Sequence, residues 1–127
     1  MKKETIIHEF DPVIYPVKIW VCISPNLEDL KIRFKEKSSG KDLSFDAIDE
    51  CDAFSYFVKS KETNKNGILI SFLGKKYCHA GNITHESTHA AMGIFGHIEE
   101  KETGGEAYAY LVGWIAECCE KVKNNKV

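Results

Sequence analysis

Apolar and polar positions alternate most clearly near the start of the chain. From Val13 to Ile23 every odd position is apolar (Val13, Tyr15, Val17, Ile19, Val21, Ile23), the period-2 pattern of a strand with one buried face. Pro12 and Pro16 lack amide donors, so the early part belongs at a sheet edge or contains a break, and the segment Thr5 to Phe10 is a candidate to pair with it. Ser24-Pro25-Asn26 reads as a helix start, with proline tolerated in the first turn and a capping side chain on either side. Leu27, Leu30 and Phe34 continue it as a helical stripe, which Ser38-Ser39-Gly40 stops.

Residues 41–52 are acidic and irregular, a surface loop or short helix. Ala53 to Ser60 and Ile68 to Leu73 read as two strands joined through Glu62 to Gly67, a turn carrying the Asn66-Gly67 pair favoured at positive φ. After a connector (Gly74 to Gly81), Asn82 is expected to cap a helix running to about Phe95 and ended by Gly96. A last helix runs from near Gly105 to about Val122. Nothing charged occurs from Ala107 to Ala116, so this helix is expected to be mostly buried. The order predicts one α+β domain over residues 1–127, with a small, mostly antiparallel sheet packed on two helices.

Composition narrows the function. The 127 residues carry 17 basic and 19 acidic side chains for a net charge of −2. Arg33 is the single arginine, so neither nucleic acid nor an anionic membrane is an expected partner. No apolar run approaches the roughly 20 residues that span a bilayer. His8, Glu9 and Asp11 interrupt any apolar stretch after the basic start, which argues against a secretory signal. Five cysteines form an odd set without paired spacing, pointing to a reduced, cytoplasmic protein. The oligomeric state is not legible.

The informative segment is Ile83-Thr84-His85-Glu86-Ser87-Thr88-His89-Ala90-Ala91. On a helix, residues four apart lie one turn above each other, so His85 and His89 can aim ring nitrogens at one ion. Glu86, about 100° around from His85, can reach a water beside that ion without being a ligand. Two imidazoles and a neighbouring carboxylate are the parts of a zinc hydrolase: His85 and His89 as Zn2+ ligands, Glu86 as general base.

A catalytic zinc site takes a third protein ligand. A histidine six residues after the second is absent, because Phe95 stands there. His97 is a candidate if the chain bends back after Gly96. Glu106 is the preferred one, since a charged side chain at the mouth of an apolar helix needs a partner. For the oxyanion donor, Tyr110, four residues after Glu106, comes first and His79 second.

His85-Glu-x-x-His89 followed by a glutamate on the next helix resembles the gluzincin-type zinc metallopeptidases. More narrowly, His85-Glu-Ser-Thr-His-Ala-Ala91 with Glu106-x-x-Ala-Tyr-Leu-Val-Gly-Trp114 is similar to small metallopeptidases encoded by tailed bacteriophages and prophages. The resemblance covers about residues 68–116. It implies a minimal zincin-like fold, a peptide or protein substrate, and action in the host cytoplasm if the chain is phage-encoded. Three rival readings stay open. Cys78 and His79 can complete a closed, structural zinc site with the two histidines. An inactive phage-derived module can act by binding alone. A thiol enzyme can use Cys78 or Cys22.

Overall fold

The structure, a computed structural model, describes residues 4–45 and 51–127. Within them the order is β1 (His8–Phe10), β2 (Lys18–Ile23), α1 (Leu27–Arg33), β3 (Phe34–Glu36), β4 (Ala53–Ser60), β5 (Asn66–Phe72), α2 (Ala80–His97) and α3 (Glu106–Lys123). The strands form one open mixed sheet in the order β1-β2-β5-β4-β3. Only the β2–β5 pairing is parallel, so the fold is α+β with a mostly antiparallel sheet, as the sequence leads one to expect.

β2 and β5 lie at the centre and are covered on both faces. Ile19, Val21, Ile68, Ile70 and Phe72 face α2 and α3 in the larger core, together with Ile94, Phe95 and Ile115. Trp20, Cys22 and Leu69 point the other way, onto Leu30, Phe34 and Leu43. Both sets of β2 positions are therefore buried, where the alternation suggests one buried face. Cys22 and Trp20 are apolar enough to serve the second core, so the period-2 signal marks the strand without marking its exposed side.

Four expectations shift. β2 begins only at Lys18; Val13 adopts a left-handed φ of 59° and is 84% exposed, so the strand starts after Pro16. α1 ends at Arg33, and Phe34 opens β3 instead of continuing the helical stripe: its ring packs on Trp20 across the sheet, 4.9 Å between centroids. The β4–β5 turn takes its positive φ at Asn64 (62°), while Asn66 and Gly67 lie in β5. Gly67 is required there for a different reason, since a Cβ would collide with the Lys18 carbonyl and the Trp20 ring. Of residues 41–52, Asp42 makes a bridge to Lys35, and 46–50 lie outside the described residues.

Among the described residues, no helix is long and apolar enough to cross a membrane.

Candidate metal centre

α2 is set against the sheet by its small residues. Ala90 and Ala91 are fully buried, and a Cβ on Gly93 would stand 3.0 Å from Ile68 Cδ1 and 3.5 Å from Phe57 Cδ2. That close approach brings the first half of α2 beside β4. The helix starts two residues before the expected cap. His79 is the N-cap, its Nδ1 accepting from the Asn82 amide at 3.4 Å, and Asn82 donates its side-chain amide to the Tyr77 carbonyl at 2.8 Å.

His85 and His89 are exposed on α2, one turn apart, with their Nε2 atoms 3.2 Å from each other and their rings nearly perpendicular at 76°. Glu86 is only 7% exposed, and among the described residues nothing donates a hydrogen bond to its carboxylate. These three side chains and Gly93 form one wall of a cleft of about 400 Å³; Ala53 to Phe57 of β4 form the other.

Among the described residues, the β4 wall is an open edge. Phe57 O accepts from the Lys37 amide at 3.1 Å, so the peptide groups of odd-numbered β4 residues point away from β5. β3 pairs only with Val58 to Ser60. Among the described residues, the outward N–H and C=O groups of Ala53 and Ser55 therefore have no partner, and they lie along the cleft that holds the histidines.

α3 flanks α2 on its other side. Tyr108 packs its ring on Phe95 (5.3 Å) and donates its hydroxyl to the Thr88 carbonyl at 3.3 Å. By the 100° step of a helix, Glu86 and Thr88 fall on opposite sides of the His85–His89 stripe. The two histidines thus face solvent between β4 and the first turn of α3.

Glu106 opens that first turn and is exposed; it is not among the residues lining the cleft. Among the described residues, no three His, Cys, Asp or Glu side chains are grouped closely enough to hold a metal. His97 is carried away from the pair. α2 continues unbroken through it, about 12 Å along the axis from His89 at 1.5 Å per residue, and its ring packs on Phe57 (5.2 Å).

Tyr110 is not brought to the cleft either. It is 75% exposed and lines a separate groove with Val13, Ile14 and Trp114. Tyr108 is the α3 tyrosine that reaches α2. The choice of Tyr110 follows from the i, i+4 face of Glu106, but a helix lying across α2 presents the face of Tyr108 and Leu111 to the core. From the sequence, Ala53 to Ser60, if an edge, is the strand to which a peptide could add; the sheet order leaves, among the described residues, only its Ala53–Ser55 end unpaired.

The cysteines argue against the thiol readings. Burial pushes the thiols of Cys22 and Cys78 up to about 11 and those of Cys118 and Cys119 up to about 12, away from the range of a nucleophile or an easily metallated group. Cys78 is 1% exposed within the larger core and does not line the cleft.

In comparisons with known proteins, no family model, no curated protein and no solved structure matches this chain.

Proposed function

We propose that the chain is a zinc-dependent hydrolase of the zincin type that cleaves peptide bonds. The observation that carries this is the 3.2 Å separation of the His85 and His89 Nε2 atoms. Two nitrogens each 2.0–2.1 Å from one tetrahedral ion stand about 3.3 Å apart, so the separation of the pair suits a shared zinc. Two imidazoles with a carboxylate are also a donor set that suits zinc.

Glu86 supplies the second support. Its side chain lines the cleft beside the two histidines, where its carboxylate can hold a water next to them.

Glu106 is the third ligand in this reading. Its support is its position two residues before Tyr108, whose hydroxyl touches the turn between the histidines. Glu106 shares the outward face of Tyr110, so completing the set requires the first turn of α3 to turn towards the histidines. Zinc, when bound, polarises a carbonyl and lowers the pKa of water towards ~7.

The chain's own residues then do the following. Ala53 and Ser55 offer their outward peptide groups, unpartnered among the described residues, to an extended substrate, which adds to β4 as a further strand. Glu86 takes a proton from the attacking water and passes it to the leaving amine, in the same cleft as that strand. His85 and His89 would hold the zinc through their ring nitrogens. Tyr110 has no part in this scheme.

A second reading rests on the open β4 edge alone: a module that binds a peptide strand without cutting it. Zinc-supplemented protein and Glu86→Gln, incubated with a mixed peptide pool and read by mass spectrometry of new termini, separate the two. Cleavage by wild type and none by Glu86→Gln supports the hydrolase. Equal cleavage, or none by either, overturns it.

A further inference from the structure

The slot along β4 has a closed end, and the residues that close it are basic. β3 runs beside β4 as far as Glu36, opposite Val58, and the Lys37 amide then donates to the Phe57 carbonyl at 3.1 Å. A strand added against Ala53 and Ser55 therefore lies in line with β3 and meets Lys37 end to end; it cannot run past Phe57 along this edge. The Lys37 ammonium lies 5.2 Å from the centroid of the Phe57 ring, and Phe57 lines the cleft with His85, Glu86 and His89. The charge thus stands on the face of the sheet that carries the cleft.

Lys35 and Lys59 share that face. Phe57 packs on the larger core beneath α2 and Val58 on the other core, so by strand alternation Lys59 follows Phe57 on the α2 side. Lys35 is its direct cross-strand partner. Like charges set directly opposite each other in an antiparallel pair repel. Among the described residues, Lys35, Lys37 and Lys59 form no ion pair, whereas Lys18, Lys31 and Lys61 each have a carboxylate partner. Positive charge is gathered at the stop of the slot and left unneutralised, which suits an anion arriving along the slot.

Spacing decides which anion. Gly93 is one helical turn beyond His89, about 6 Å along the axis. A Cβ on Gly93 would stand 3.5 Å from Phe57 Cδ2, so the Phe57 ring marks that distance. One extended residue covers about 3.3 Å and two cover about 7 Å. A chain with a carbonyl at the histidines has room for one or two more residues before Lys37 stops it. The group at that stop is the chain's own terminal carboxylate. An acidic side chain within a longer peptide would need the chain to continue where β3 already lies.

We propose that the β4 slot takes the carboxyl-terminal end of an extended peptide, with the Lys37 ammonium pairing with the terminal carboxylate and Lys35 and Lys59 adding to the attraction. Binding follows from the open edge and the lysines alone. Its consequence for cleavage rests on the hydrolase reading. One water is consumed, the peptide C–N bond one or two residues from the end breaks, and the longer fragment gains a carboxylate. An amino acid or dipeptide leaves with the new amine.

Fluorescence anisotropy on the whole chain, without added zinc, tests the binding. The probe is a labelled, otherwise uncharged hexapeptide in free-acid and amidated forms. The free acid should bind at least tenfold more tightly. Lys37→Gln should bring the two forms within twofold and leave the melting temperature unchanged, since Lys37 is exposed, and Lys37→Arg should keep the preference. Equal binding of the two forms, or binding of neither, overturns the proposal. So does an amidated peptide with an internal aspartate that binds as well as the free acid. Zinc-loaded protein then separates this inference from the hydrolase reading. A free-acid preference with no cleavage keeps the slot and overturns the hydrolase. Internal cleavage of amidated peptides as fast as of free acids overturns the slot and keeps the hydrolase.

Discussion

Glu86 is buried where its neighbours His85 and His89 are exposed, and all three meet in one cleft. The carboxylate lies about 100° around the helix from His85, turned towards β4, while the histidines point into the open space between β4 and α3. A group placed at the histidine nitrogens would therefore have the carboxylate on the substrate-strand side.

Replacing Glu86 should affect catalysis without affecting stability. Glu86→Gln is expected to abolish hydrolysis while leaving zinc content unchanged. In metal-free protein it should change stability by less than about 1 kcal/mol, because the amide has the same shape as the carboxylate and the group lines the open cleft. Urea denaturation of both metal-free proteins checks this; a destabilised Glu86→Gln would show that the carboxylate is already well partnered.

The identity of the third ligand is decided by two substitutions. Glu106→Gln should weaken zinc binding by more than tenfold, whereas His97→Gln should leave it within twofold, since His97 packs on Phe57 well along the helix from the pair. Competition with a chromogenic chelator gives both numbers. The reverse order would return the role to His97.

The motif and its helix were legible because a four-residue spacing is local; the cap was not, since the helix begins at Ala80 with His79 as its N-cap in place of Asn82. The third ligand and the oxyanion donor were not, because they depend on how α3 crosses α2. Tyr108 and Tyr110 are indistinguishable in the sequence, and only the contacts to Phe95 and Thr88 separate them. Phe34 failed for the same kind of reason. Its spacing suits a helix, but its burial against Trp20 on the second face of the sheet outweighs that preference. In α3, lack of charge was equated with burial; Ala109, Tyr110 and Gly113 show that a helix can be uncharged and exposed.

Gly93 sets the spacing between α2 and β4. Gly93→Val puts side-chain atoms where Ile68 Cδ1 and the Phe57 ring already stand, and should cost about 1–3 kcal/mol by overpacking. The helix can relieve this only by moving off the strand, so activity should fall further than stability. Thermal melts and peptide cleavage measured side by side test that ordering.

The buried thiols make stability fall in alkali. Burial raises the thiols of Cys22 to about 11 and Cys119 to about 12 above a usual 9.0. Their contribution is complete below pH 9 and is lost as pH rises towards those folded values, because the unfolded chain ionises first. Each should cost about 1 kcal/mol by pH 10. Urea midpoints at pH 8 and pH 10 measure the drop, and Cys22→Ala should reduce it.

The most direct test of the metal centre is zinc stoichiometry, measured by inductively coupled plasma mass spectrometry after zinc loading and exhaustive dialysis. Wild type should retain one zinc per chain, and the His85→Ala, His89→Ala double variant, altered only at exposed positions, should stay folded and retain none. Wild-type protein without zinc, or a double variant that keeps it, would contradict the assignment.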